Sequence, residues 1–316
     1  MKKLYPFILT IILFSSIFFS LFYKLENIEL TNMIILNLRL PRTLLCIITG
    51  AVLALCGSTL QMFFRNPLAE PGIMGISSGA TLGAVVAAIS GFSGTMLLSV
   101  LNVGAFLGAI LAGLLITSLS LKKVAVSSIN MLLCGTALGT FYSGISSTIM
   151  LMHNKELHGI YSWLLGSFNG RGLNELKFVA LPALAAFVLM ALILNPLDML
   201  NGGEENASSL GVNVKKLRLL VIASGSLAVS VAVCGGGTIS FVGLIAPHIM
   251  RRIFSPKSRI LVWTSALGGA VILLLADTLA RVVMRPGELP CGIITSFIGV
   301  PFFVALILKK RGGGNE

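Results

Sequence analysis

The chain has 316 residues, of which 56% are hydrophobic and only 11% are charged, and its mean hydropathy is +0.97. Soluble domains average about 25% charged residues, so the composition excludes a water-soluble enzyme and indicates a protein that crosses a membrane several times. The net charge of +12 does not indicate a nucleic-acid partner, because Lys and Arg stand at the ends of apolar segments, where they act as topology signals.

Ten apolar segments follow one another, and about 20 apolar residues suffice to cross a bilayer as a helix. We therefore predict an all-α membrane protein with about ten transmembrane helices in a single domain over residues 1–316. The eighth segment is too short to cross alone, so we expect it to use flanking residues after a turn at the glycines 235–237. The segments are approximately 5–23, 43–64, 73–92, 95–121, 128–152, 176–195, 217–235, 239–250, 260–284 and 289–308.

The basic residues predict how the chain lies in the membrane. If the N-terminus is inside, most of the 23 Lys and Arg fall on the inner side, including the run at 309–311. Cytoplasmic loops are enriched in basic residues, so we predict a multi-pass protein of the cytoplasmic membrane with both termini in the cytoplasm. ALCG at 54–57 and AVCG at 232–235 are similar and lie in segments of opposite direction, which indicates either an inverted repeat or a chance match of four residues.

Of the arginines on the predicted outer side, three form an unusual set at the ends of apolar segments. Arg39 and Arg42 lie in LRLPRT at the mouth of the second segment, and Arg281 ends ADTLAR in the ninth. Long basic side chains at helix ends often only extend toward water, yet arginine also pairs bidentately with carboxylates. The residues alone leave both interpretations open: a solvated helix end, or a docking site for an acidic partner.

The first inner loop with unusual chemistry reads RNPLAEPGIMGISSGA, residues 65–80. Pro67 and Pro71 stop helix propagation, and Asn66 and Glu70 offer hydrogen bonds to the backbone groups that are released. Irregular polar backbone at membrane depth is tolerated where it is buried in protein or lines a watery path. The loop is therefore either a constriction at the inner end of a pore or an ordinary tight connection.

Part of the same stretch, GISSGA, matches the G-x-S-x-G pattern of serine nucleophiles. That pattern works at a strand-turn-helix junction, whereas here it opens a transmembrane segment. The spacing of Gly75, Ser78, Gly79 and Gly83 favours close helix packing instead. An intramembrane serine protease, which would pair Ser77 or Ser78 with His248, remains an alternative of a different class.

A second polar inner loop covers residues 195–218. Its sequence from Glu204 predicts a short amphipathic helix lying at the membrane surface. Leu200, Leu210 and Val212 are interleaved with charged residues, which indicates either a contact element for a cytoplasmic protein or a solvated loop.

The chain contains no phosphate-binding loop, no HExxH and no CxxC, so no catalytic residue and no metal site is predicted. Asp277 is the carboxylate placed within a span, four residues before Arg281. It is either a functional intramembrane acid or a local ion pair. An ion-coupled secondary transporter would need a polar network at mid-membrane, which the sequence hardly offers, so the energy for uphill transport is expected from another protein.

The three histidines are weak candidates for ligands. His248 lies in GLIAPHIM near the inner end of the eighth segment, and a structural role is favoured there over haem ligation. His153 and His158 follow the fifth segment on the outer side, where they either pass haem inward or are simply solvated.

Five motifs in one order carry a resemblance to a known family. They are LRLPRTLL (38–45), GAVLALCGSTLQMFFRNPLAEPGIMGISSGA (50–80), GGTISFVGLIAPHIMR (236–251), LLLADTLAR (273–281) and ELPCGIITSFIGVPFF (288–303). The chain resembles the FecCD-type permease subunits of type II ATP-binding-cassette importers for vitamin B12, haem and iron-siderophore complexes. The resemblance implies a homodimer with the path at its two-fold interface, two cytoplasmic ATPase subunits and a substrate-binding protein outside.

The resemblance also implies roles for particular residues, and it places ATP and Mg on the ATPase, so that this chain performs no chemistry and binds no cofactor. The family spacing GE-x-x-A-x-x-LG recurs in the coupling segment, about 196–216, as GEENASSLG with a polar Asn206. The matching positions are Arg39, Arg42 and Arg281 for docking of the binding protein, Asn66, Leu68, Ser127 and Ser128 for the cytoplasmic gate, and Glu204, Glu205, Ser208, Leu210 and Gly211 for contact with the ATPase.

The resemblance predicts transport by alternating access, driven by ATP binding and hydrolysis on the partner subunits. Methionine-rich, sparsely polar helices suit a bulky ligand that must not bind tightly along its path. A ferric siderophore or haem is the preferred cargo, and cobalamin is the alternative.

Overall fold

The structure is a computed structural model that describes residues 5–22, 31–90, 95–121, 128–153, 161, 163–254, 258–284 and 287–312. Within these ranges the regular elements are all helices. In chain order they are α1 Tyr5–Phe22, α2 Thr31–Ile34, a π-helical turn Ile35–Arg39, α3 Leu40–Phe63, a 3₁₀ turn Pro71–Met74, α4 Ile76–Ala88, α5 Thr95–Leu121, α6 Ser128–Met152, α7 Leu173–Leu192, α8 Leu194–Leu200, α9 Glu204–Ser209, α10 Val214–Gly236, α11 Val242–Ile253, α12 Ser258–Val283 and α13 Cys291–Gly312.

Each of the ten predicted segments coincides with a helix, so the all-α class is confirmed. Five stretches in the described ranges are long and apolar enough to cross a membrane by themselves: Ile35–Phe63, Leu98–Leu119, Leu173–Leu192, Val214–Gly236 and Arg259–Val283. The number of crossings stays a prediction, as do the inverted repeat and the orientation, from which "inner" and "outer" are used below.

Two helices are too short to cross a membrane alone: α4 is also shorter than its predicted segment, whereas α11 has the short length predicted for the eighth segment. Helix α4 has 13 residues and α11 has 12, which at 1.5 Å per residue gives about 20 Å against a hydrocarbon core of about 30 Å. The connection before α4 turns back early, because Gly75 adopts a left-handed φ of 71°. The turn before α11 includes Gly237 but not Gly235 and Gly236, which complete α10.

Helix α3 is the centre of the molecule, since it packs against α7, α10, α11 and α12. Nearly every residue from Leu45 to Phe64 is buried. Glycines bring the backbones together: a methyl group at Gly50 would collide with the carbonyl of Gly269 in α12, and one at Gly57 with Gly243 in α11. Small residues at such contacts allow close packing where lipid gives no hydrophobic drive for association.

The small residues around GISSGA serve the same purpose, as predicted. Gly79 and Gly83 of α4 lie against Gly108 and Gly104 of α5, and Gly75 lies against Gly135 of α6. These contacts fix the first half of the chain as one packed unit.

Helix α6 has a polar face. It has 25 residues, but hydroxyl side chains recur along one face and remain exposed in the single chain. Those residues are Thr136, Thr140, Ser143 and Ser147. Their spacing of four, three and four residues places them on one side of a helix.

Candidate functional site

The three arginines predicted to dock a partner converge on one cavity of about 410 Å³, here called the outer cavity. It opens between the first turns of α3, the end of α12 and the segment 168–172. Arg39 ends the π-helical turn, and Arg42 lies in the first turn of α3. Arg281 comes from the last turn of α12. Because α3 and α12 are antiparallel neighbours, the start of one meets the end of the other.

Arg42 is held by two carboxylates. Its Nε and Nη2 donate to Asp277 of α12 at 2.8–3.2 Å, and its Nη1 donates to Oε2 of Glu288 at 2.8 Å. The Asp277 side chain is 1% exposed, whereas that of Glu288 is 28% exposed. The bidentate pair with Asp277 is therefore shielded from water, and the contact with Glu288 is partly open to it.

Asp277 also pairs with Arg281, at 3.3 Å between Oδ2 and Nε. The guanidinium of Arg281 donates in addition to the Ser20 hydroxyl of α1 at 2.7 Å. The local ion pair, one of the two interpretations of Asp277, is thus present, and the acid acts as counter-ion to two arginines. Arg39 donates to the Leu21 carbonyl at 2.8 Å, which ties the π-helical turn to α1.

A fourth arginine in this cavity, Arg171, was missed by the sequence analysis. It is 5% exposed; its Nε donates to the Ser167 carbonyl at 2.9 Å and its Nη1 to the carbonyl of Cys234, near the end of α10. Nη2 is buried without a hydrogen-bond partner. Burial lowers the pKa of Arg171 to about 10. No periodicity or motif marks this residue, because the segment that carries it is irregular.

At the other end of α3, residues 64–69 form a compact turn, here called the inner turn. Arg65 has a left-handed φ of 49°, and the Asn66 amide donates to the Gln61 carbonyl at 3.1 Å. The side-chain oxygen of Asn66 accepts the Leu68 amide at 3.0 Å. Asn66 therefore bonds released backbone groups, as predicted, and both Asn66 and Leu68 are half-buried.

The other two predicted gate residues cannot be placed in the same way. Ser127 lies outside the described residues, and Ser128 is the first residue of α6. The structure thus positions the gate prediction only at Asn66 and Leu68.

Glu70 leaves the inner turn and reaches into the body of the protein. Its Oε1 accepts the Phe241 amide at 2.6 Å, directly before α11. Burial raises the pKa of the Glu70 carboxyl, and the hydrogen bond from Phe241 opposes that change. The sequence predicts Glu70 in an inner loop; in the structure this loop turns back between α3 and α11.

A larger open cavity, here called the central cavity, has a volume of about 600 Å³. Its walls are the segment 164–165, the turn 238–240 and one face of α13. Thr238 donates its hydroxyl to the Leu164 carbonyl, and the Gly292 amide donates to the Gly166 carbonyl at 3.0 Å. The residues that line it are hydroxyl-bearing or apolar: Leu164, Leu165, Thr238, Ser240, Gly292, Ile293, Ser296, Phe297, Val300 and Pro301.

The predicted coupling segment contains two short helices, α8 and α9. The helix expected from Glu204 is present as α9, with Ala207 fully buried and Glu204 and Glu205 exposed. The polar Asn206 donates its side chain to the Gly202 carbonyl at 2.6 Å, which stabilises the turn before α9.

The apolar positions of this segment divide into two kinds. Leu200 is 2% exposed and belongs to the core, and Val212 is partly buried and packs against the core. Leu210, in contrast, is 67% exposed. Leu210 is followed by Gly211, which has a left-handed φ of 87°. Of the three leucine and valine positions, Leu210 is thus the one presented outward, next to Ser208 and the acidic first turn.

The arrangement required for a serine protease is not formed. His248 lies edge-to-face with Phe302 at 5.6 Å, and neither of its ring nitrogens has a hydrogen-bond partner. Ser77 lines a small cavity beside Glu70 instead. His153 is bonded to the Ile149 carbonyl at 3.1 Å at the end of α6, and His158 lies outside the described residues.

Comparisons with known proteins agree over nearly the full length. The model of the FecCD transport family matches residues 5–309. The hemin transport system permease protein of Yersinia pestis is 37% identical over 285 residues, which cover 87% of this chain and 83% of that protein. The vitamin B12 import system permease protein of Vibrio vulnificus (strain CMCP6) is 35% identical over 296 residues, covering 93% and 88%.

A solved structure shows the same likeness in three dimensions. It is an inward-facing conformation of a transporter described as of the metal-chelate ABC type. It aligns with a TM-score of 0.87 and 32% identity over 96% of this chain and 98% of that one.

Proposed function

The chain belongs to the FecCD transport family, and from that premise we propose that it is the permease subunit of an ATP-driven importer for a bulky iron chelate. The preferred cargo is a ferric siderophore or haem, and cobalamin is the second candidate. The relatives include a hemin permease and a vitamin B12 permease at similar identity, so identity alone does not rank the two. The metal-chelate transporter among the solved structures is compatible with either cargo, because cobalamin is itself a cobalt chelate.

The observation that carries the proposal is the central cavity. Its volume of about 600 Å³ lies within the range of ligand sites, and it is open along the face of α13. No charged side chain is among the residues that line it. A cavity with hydroxyl and apolar walls gives a large ligand many weak contacts and no strong one, which suits passage better than storage.

A second copy of the chain would complete a transport path along the central cavity. The face of α6 with Thr136, Thr140, Ser143 and Ser147 is exposed in the single chain. Polar side chains within membranes usually face protein or a water-filled cavity, not lipid. We infer a homodimer in which the hydroxyl face of α6 and the central cavity border one path at the two-fold interface.

Energy and cargo would arrive from opposite sides. In each copy of the chain, the exposed Leu210 and the acidic turn at Glu204 and Glu205 offer a contact for one cytoplasmic ATPase subunit. The two ATPase subunits would hold ATP and Mg. The outer cavity, with Arg39, Arg42 and Arg281, offers a site for acidic groups of a substrate-binding protein. Binding of ATP would then close the ATPases and move the coupling segment. Hydrolysis of ATP and release of its products would reset the inner turn.

Purification of the tagged chain from its native host in mild detergent tests this function. We expect an ATPase at one copy per permease, and ATP-driven uptake of haem or a ferric siderophore when the complex is placed in liposomes with its binding protein. Uptake of cobalamin alone would select the second candidate. A chain that purifies stably without any ATPase would contradict the importer and would favour an ion-coupled transporter.

A further inference from the structure

One hydrogen bond joins two parts of the chain that are 171 residues apart: Oε1 of Glu70 accepts the amide of Phe241 at 2.6 Å. Next to it, Pro71 packs on Gly243. Gly243 in turn touches Gly57, six residues before the end of α3, so the contact lies about 9 Å from the inner end of that helix. The bond therefore lies inside the protein body and not on a surface loop.

The start of α11 needs such an acceptor. The first amides of a helix lack partners within the helix, and Ser, Thr, Asp or Asn usually supply an acceptor at the position before it. Here that position is Phe241, whose side chain accepts nothing. The Glu70 carboxylate, which comes from another segment, instead accepts the amide of the cap residue itself, as the N3 carboxylate does in a capping box. Its negative charge also suits the N-terminal end of the helix dipole.

Phe241 is held in an uncommon backbone conformation. Its φ of 68° is left-handed, which is strained for a bulky residue and persists only where the surroundings enforce it. Its ring packs directly over Gly299 of α13, where a methyl group would collide with it. The ring contact and the Glu70 bond fix the residue from two sides.

The bond lies between two candidate functional parts. On one side, Glu70 follows Leu68 by two residues and is thus continuous with the inner turn. On the other side, Phe241 follows Thr238 and Ser240, which form a wall of the central cavity. A small cavity of about 60 Å³ separates the two segments around this bond and is lined by Glu70, Ser77, Thr238 and Ser240.

We propose that Glu70 is a positioning residue that links the inner turn to the wall of the central cavity, so that the two move together during transport. The proposal rests on the importer function proposed above. Without the bond, the turn and the wall would move independently, and ATP would be hydrolysed without a matching movement of cargo.

Substitutions at Glu70 in the complete importer test the link. Glu70→Ala removes the acceptor, Glu70→Gln keeps an oxygen at the same place, and Ser77→Ala alters the same small cavity without touching the bond. The cargo is whichever of haem, ferric siderophore and cobalamin the wild-type importer carries. We expect Glu70→Ala to lower uptake per ATP hydrolysed about tenfold, as the loss of one hydrogen bond to a charged group predicts.

Glu70→Gln and Ser77→Ala should keep most of the uptake per ATP hydrolysed. ATP hydrolysis and assembly with the ATPase should persist in all three variants. Wild-type coupling in Glu70→Ala would overturn the proposal. A loss in Glu70→Gln as large as in Glu70→Ala would also overturn it, because the charge and not the acceptor would then matter. If Glu70→Ala does not assemble, Glu70→Met fills similar space without an acceptor.

Amide hydrogen exchange of the purified wild-type and variant chains gives a readout that needs no transport. Peptides covering residues 238–245 should exchange faster in Glu70→Ala than in Glu70→Gln, and equal exchange would contradict the bond. A wild-type complex that neither hydrolyses ATP nor moves cargo would defeat the importer function alone. A working wild type with an unchanged Glu70→Ala variant would defeat only the link.

Discussion

At the outer end of α3, Arg42 and Arg281 are fixed by the carboxylate of Asp277, whereas at the inner end the turn around Asn66 is fixed mainly by backbone hydrogen bonds. The outer cavity depends on opposite charges that share partners. The inner turn depends on a chain conformation that one asparagine side chain completes. Charge substitutions should therefore disturb the outer cavity and leave the inner turn almost unchanged. Loss of the acceptor on the Asn66 side chain should disturb the inner turn and leave the outer cavity almost unchanged.

The difference also concerns how each region can respond to a partner. An acidic group that enters the outer cavity would compete with Glu288 for Arg42, because both would accept a hydrogen bond from the same guanidinium. The inner turn has no such exchange of partners among its described contacts, and it changes only if its backbone bonds break.

The largest effect is expected at Asp277. Asp277→Asn removes the shared counter-ion of two arginines, and breaking a buried ion pair costs about 3–5 kcal/mol. Thermal unfolding in detergent should show a clear fall in Tm. The matched control is Glu288→Gln, which touches the same Arg42 but is partly exposed and should cost less than about 1 kcal/mol. Equal losses in the two variants would contradict the distinction between a shielded and an open pair.

A smaller effect is expected for docking at the outer cavity. Arg39→Glu reverses the charge of a side chain that donates to the Leu21 carbonyl, and we expect folding to persist while affinity for the binding protein falls about tenfold at low salt. Titration at several salt concentrations measures it. Lys177→Glu makes the same charge change on an exposed residue of α7 and serves as control. An affinity that falls equally in both would indicate a general field and no site.

The smallest effect is expected at the inner turn. Asn66→Ala removes the acceptor for the Leu68 amide, worth about 1 kcal/mol, or roughly a fivefold change in an equilibrium. We expect a rise of that order in passive leak of a dye from liposomes that contain the complex. Asn66→Asp retains the side-chain oxygen and should leak less. No change in leak for the alanine variant would place the constriction elsewhere.

The sequence predicts the outer cluster better than its surroundings. Arg39, Arg42 and Arg281 stand at the ends of helices recognisable from apolar length, and the antiparallel pairing of α3 with α12 brings those ends together. Arg171 and Glu288 lie in irregular connections, whose path depends on contacts with distant segments, such as the bond from Arg171 to Cys234. Local patterns carry no information about such contacts.

The inner region shows the same limit in another form. Two prolines, Pro67 and Pro71, predict a break after α3, and the break is present. They do not predict that the chain turns back into the protein and reaches Phe241 through Glu70, since the partner is 171 residues away. The length of α4 is mispredicted for the same reason, because the helix starts within the protein body, whereas the short α11 agrees with the prediction for the eighth segment.

The exposed hydroxyl face of α6 has a consequence for how such a scaffold diversifies. Side chains that pack against nothing within their own chain can be exchanged at little cost in stability, usually within about 0.5 kcal/mol. The glycine contacts of α3, α4 and α5 tolerate no such change, because any side chain there collides with backbone. Mutation can therefore vary the exposed face of α6 while the glycine-packed helices preserve the fold.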